Sequence, residues 1–169
     1  MLNNDKKQMK LDRMRYTKNA MSSNMALLAI VANVVYFVVM YKINNKAMYE
    51  LMMGASVITN LLFMLTVFLC SEGVKKYNIK YAAAMIVIGA IELVRIFIWP
   101  LKLHNTETKI TVPGQEPIMA TVLNDGQFVL VIVLLVCAAA LLIAGGIIGV
   151  IRGKQLAAYN ESLKQAEQN

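Results

Sequence analysis

Long apolar runs alternate with short polar ones along this chain. Four runs, at about 24–41, 49–71, 81–99 and 127–151, are long enough to cross the roughly 30 Å hydrocarbon core of a bilayer, which takes about 20 helical residues. Backbone amides in hydrocarbon must find their hydrogen bonds internally, so each run is predicted to be a helix. The fold class that follows is an all-α integral membrane protein, a four-transmembrane-helix bundle spanning residues 24–151. The first run follows a 23-residue polar tail and is not followed by a small-x-small cleavage site. It therefore reads as a retained anchor and not as a signal peptide.

The segments between and beyond the runs are mostly short. Residues 42–48 form a turn, and 72–80 form a loop. The 100–126 loop is longer. It opens on Pro100, a helix stop, and then carries TKITV, PGQEP and IMATVL. Two β-prone stretches around a Pro/Gly turn predict a short β-hairpin-like loop. Asn124-Asp125-Gly126 then forms a turn into the fourth run. In the 152–169 tail, Leu156, Tyr159, Leu163 and Ala166 recur at helical spacing, so the fourth helix is expected to continue outward.

Composition agrees with this picture. Hydrophobic residues make up 58% and charged residues 16%, with a mean hydropathy of +0.55. Soluble domains lie near 45–50% and 25%. The values exclude a disordered chain and a disulfide-stapled module, and they argue against an ordinary soluble enzyme. Cys70 and Cys137 both fall in apolar runs at different depths. Both are expected to be buried, small and unpaired.

The net charge of +7 is distributed unevenly. The 1–23 tail holds six basic residues, and the 72–80 loop and the 152–169 tail hold three each, twelve in all. Lys42, Lys46, Lys102 and Lys109 are the four on the opposite side. Twelve against four predicts cytoplasmic termini and an extracellular 100–126 loop in the cell membrane. Tyr41, Tyr49, Tyr81 and Trp99 stand at span ends, where interfacial aromatics belong. The basic tail lacks a stacking series of aromatics, so no nucleic-acid partner is expected. Anionic lipid is its expected partner, with an acidic protein as the alternative.

Two ionisable residues fall inside a span, Glu92 and Arg95. Charges at membrane depth are costly and need named partners. Three residues apart, the two share a helix face and can pair. Arg95, about 6 Å below Trp99, can alternatively snorkel outward, whereas Glu92 lies about 10 Å deep. Asn33, Ser56, Thr59 and Asn60 reach similar depths, and an intramembrane polar cluster of these six residues is expected. Gly145, Gly149 and Gly153, four apart in the fourth run, form a close-packing face for a helix within the chain or in another protein. His104 stands alone. Catalytic, metal and cofactor motifs do not occur, so the chain is not expected to be an enzyme. The functional expectation is a non-catalytic accessory or scaffolding subunit of a larger membrane protein complex, above all a transporter. The alternative is a small homo-oligomeric proton-coupled transporter using Glu92.

Overall fold

All three prolines fall between residues 100 and 117. Proline is thus absent from all four apolar runs. The computed structural model describes residues 2–47, 50–110 and 118–168. In chain order these form α1 (Leu2–Tyr16), α2 (Ala20–Ala47), α3 (Glu50–Lys75), α4 (Ile79–Ile98), the single turn α5 (Pro100–Leu103), β1 (Glu107–Ile110), β2 (Ile118–Thr121) and α6 (Asp125–Gln168). Four helices, α2, α3, α4 and α6, are long and apolar enough to cross a membrane.

The helix ends are set by local chemistry. Tyr77 adopts a left-handed conformation, φ 57°, in the tight turn between α3 and α4. Asn78 caps α4, its side chain accepting from the Lys80 amide at 3.0 Å. Pro100 occupies the first position of α5, where its missing N–H costs no bond. Asn124 and Gln127 cap α6 reciprocally. The Gln127 amide donates to the Asn124 Oδ1 at 2.9 Å, and the Asn124 amide donates to the Gln127 Oε1 at 3.4 Å.

The helices close into a ring in which α6 packs on α2 and α4, α2 on α3, and α3 more sparsely on α4. Glycines set the closest approach. A Cβ at Gly149 would lie 2.8 Å from both Ala82 Cβ and Val74 Cγ2, and one at Gly153 would lie 2.8 Å from the Tyr77 carbonyl oxygen. Gly145 faces Met85, Met25 and Ser22. The small-residue face is therefore occupied inside the chain, by α2, α3, α4 and the turn before α4. Two further glycines serve the same seam. Gly146 sits against Ile86 and Ala82, and Gly89 of α4 sits against Ala139, Leu142 and Ile143. Missing side chains let the two backbones approach and gain dispersion contacts, the main cohesive term between helices in lipid.

Outward positions are apolar as well. Ile58, Leu62 and Leu65 on α3 and Val87, Val94 and Phe97 on α4 are all exposed. Such a surface is costly in water and matches hydrocarbon.

The structure corrects several expectations. The 42–48 turn is helical as far as Ala47. The 1–23 tail carries a 15-residue helix, and the first apolar helix begins at Ala20 instead of Asn24. Cys70 is buried, but Cys137 is exposed on the outer face of α6. Residues 107–110 and 118–121 pair antiparallel, Glu107 opposite Thr121. The Pro113–Pro117 turn and Tyr49 lie outside the described residues. His104 is not isolated. Its ring stacks on Phe128 at 4.0 Å, and its Nε2 lies 3.0 Å from Asp125 Oδ1.

Candidate functional site

The candidate site is assembled from one short spacing used three times. Asn33 and Tyr36 on α2, Asn60 and Phe63 on α3, and Glu92 and Arg95 on α4 are each three residues apart, so each pair lies on one helix face. The three faces meet around the Arg95 guanidinium. Its Nη1 donates to Glu92 Oε2 at 3.1 Å and to Asn33 Oδ1 at 3.4 Å, while its Nη2 donates to Asn60 Oδ1. The cation also lies 4.8 Å from the Tyr36 ring centroid and 5.3 Å from that of Phe63. Such contacts contribute about 0.5–2 kcal/mol each, more as water is excluded.

Arg95 therefore turns inward and does not snorkel towards Trp99. It is 8% exposed, and Glu92 is fully buried. Inside hydrocarbon this is the favoured arrangement, because an unpaired guanidinium cannot lose its charge. Planar, with donors on a rigid fork, it can bind acceptors from three helices at once. Lysine has a single ammonium and would not reproduce that geometry.

Not every expected member joins the network. Asn33, Asn60, Glu92 and Arg95 do. The Asn33 and Asn60 amide nitrogens are used locally, donating to the carbonyls of Ala29 (3.2 Å) and Ser56 (2.8 Å). The Thr59 hydroxyl donates to its own helix, to the Ala55 carbonyl at 2.8 Å. Ser56 and Thr59 instead line a crevice of about 140 Å³ between α3 and α4, with Asn60, Arg95 and Trp99. It opens along the sparsely packed α3–α4 edge. One valence is open, since Glu92 Oε1 is buried without a hydrogen-bond partner.

Two features escaped the sequence reading. The aromatic walls, Tyr36 and Phe63, carried a usable signal, because each stands three residues after a buried Asn. At the other end of the bundle is a second polar belt. The Ser23 and Ser71 hydroxyls are 2.8 Å apart, Asn19 Nδ2 donates to the Ser22 hydroxyl at 3.0 Å, and Arg152 Nη1 donates to Asn19 Oδ1 at 3.0 Å. The Asn19 backbone N–H also donates to the Lys75 carbonyl at 3.0 Å. This belt joins the start of α2 to α3 and α6. Asn19, Ser22 and Ser23 sit in the polar segment before the first apolar run, where solvent exposure is the default expectation, and only the packing buries them.

Chemically, the Glu92–Arg95 cluster is a charge-paired clamp. Among the described residues no group of three or more His, Cys, Asp or Glu is placed to hold a metal ion. No family model, curated protein or solved structure matches the chain.

Proposed function

We propose that this chain is a non-catalytic accessory or scaffolding subunit of a larger membrane assembly, a transporter above all. In this reading it lies in the cell membrane with both termini cytoplasmic and the β1–β2 pair extracellular. The Lys/Arg asymmetry of twelve against four supports that orientation. Basic residues next to the membrane, such as Lys18, attract anionic headgroups at about 1 kcal/mol each.

The observation that carries the reading is the length of α6. Its 44 residues make a rod of about 66 Å, roughly twice the hydrocarbon thickness. The surplus stands outside the apolar bundle and has α1 packed against it. The Tyr159 hydroxyl donates to Asp12 Oδ1 at 2.8 Å across that contact. A helical pair held clear of the membrane serves docking better than transport. Mild-detergent extraction followed by native mass spectrometry tests this. A heteromeric assembly is expected, and a clean monomer or homo-oligomer overturns it.

A second reading has one observation in its favour, the buried Glu92 Oε1 without a partner. It makes Glu92 the proton-carrying group of a small homo-oligomeric transporter. In proteoliposomes with an entrapped pH indicator, Glu92→Gln is then expected to abolish proton flux at normal expression. Unchanged flux rejects that reading.

A further inference from the structure

We infer that the projecting end of α6 and the α1 helix together form a docking groove for an acidic amphipathic helix of a partner protein. The inference rests on the accessory-subunit reading and specifies its contact. Two grooves flank the place where α1 meets α6. One, of about 420 Å³, is lined by Arg15, Leu156, Asn160, Leu163 and Lys164. The other, of about 450 Å³, is lined by Lys10, Leu11, Met14, Gln155, Ala158 and Tyr159. Both combine an apolar floor with basic residues at the rim, and no carboxylate is among the described lining residues.

Spacing argues for a helical occupant. Leu156 and Leu163 of the first groove are seven residues apart, with Asn160 between them, the repeat that accepts the knobs of another helix. α1 contributes Arg15 to this groove, while its Leu11 and Met14 line the other one. Asn160 adds a polar signal, because its Oδ1 is buried without a hydrogen-bond partner and calls for a donor from an occupant.

Charge argues that the occupant is acidic and comes from another protein. Residues 1–19 and 152–169 together carry nine Lys/Arg against four Asp/Glu. A second copy of this chain would bring the same positive surplus to the contact, which disfavours self-association. Height argues against a lipid. Leu163 is twelve residues beyond Ile151, about 18 Å along the helix. The headgroup layer on one side of a bilayer is only about 5–7 Å thick. An anionic headgroup can reach Lys18 but not the Leu163–Lys164 end of the groove.

The test places a photo-cross-linking amino acid at Lys164, and separately at Leu163, both in the first groove, in the full-length chain in its native membrane. Cross-linked peptides are then mapped by mass spectrometry. The expected product is one segment of one partner, with Asp or Glu on one face and apolar residues at helical spacing on the other. Arg15→Glu is expected to cut the Lys164 cross-link by about fivefold or more, because rim charges steer association. Arg15 is exposed, so the extracted variant should keep its thermal stability. Cross-links to lipid, to a second copy of the chain or to a basic segment overturn the inference, as does a yield indifferent to the charge reversal. An intact assembly without cross-links at either position overturns the groove and leaves the accessory reading standing. If no assembly is recovered, both fall.

Discussion

Replacing Gly146 by leucine should abolish the folded bundle, and Gly146→Ala should weaken it clearly. A Cβ at this position would meet Ile86 Cγ1 at 2.6 Å and the Ala82 carbonyl oxygen at 2.7 Å. The first neighbour is a side chain with some freedom, but the second is helix backbone. Room can be made only by moving α4 away from α6, which opens the most extensively packed seam of the molecule. Overpacking of a tight contact costs about 1–3 kcal/mol for small additions. Alanine also raises helix propensity by up to about 1 kcal/mol, which offsets only part of that cost. Leucine adds three further carbons to the same gap. Gly54 provides the control, since nothing lies within 4 Å of a Cβ there. Gly54→Ala should be neutral or slightly stabilising. Thermal aggregation of the detergent-extracted variants measures the series. Equal stability of the Gly146 and Gly54 alanine variants would refute the tight-seam account.

The second large effect is expected at the charged pair. Glu92→Leu and Arg95→Leu should each cost about 3–5 kcal/mol, because each strands a buried polar group whose partner has gone. Removing Arg95 also frees the Asn33 and Asn60 acceptors and unties α2 from α3 and α4 at that level. The double variant Glu92→Leu/Arg95→Leu should recover much of the loss, since no charge then remains in the core. Recovery should stop short of the parent by about 1–3 kcal/mol, the cost of acceptors left unsatisfied. Unfolding midpoints of the four proteins form a double-mutant cycle. Additive effects would mean that the pair is not coupled and that the geometry around Arg95 does not hold the bundle together.

These two sites differ in how much of them the sequence reveals. Glu92 and Arg95 stand out because charges are rare in a 19-residue apolar run and because their spacing puts them on one face. Asn33 and Asn60 stand out because carboxamides are rare in apolar runs. Ser56 and Thr59 look equivalent by depth alone, yet they line a crevice and stay outside the network. Thr59 is turned about 100° from Asn60 around the α3 axis, and Ser56, on nearly the same face as Asn60, stands one turn away from the level at which Asn60 meets the Arg95 guanidinium. In the same way, Gly145, Gly149 and Gly153 announce a close contact without naming the helix that fills it. Gly146, off that four-residue repeat, meets the tightest backbone contact. Cys137 looked as buried as Cys70, because hydrophobicity in lipid does not distinguish the inside of a bundle from its outside.

By itself the sequence determined the number of apolar helices, the place of the proline-rich interruption and the identity of the costly buried charges. All three follow from local rules, namely length against bilayer thickness, helix-breaking chemistry and the price of charge in hydrocarbon. Only the tertiary structure decided that Arg95 points inward to Asn33 and Asn60, that the glycine face is filled by α2, α3 and α4, and that Asn19, Ser22 and Ser23 are buried in a second belt. Those outcomes depend on which helix faces which. In an all-apolar environment that choice is made by close packing and hydrogen bonding between distant segments, and no local pattern of hydrophobicity encodes it.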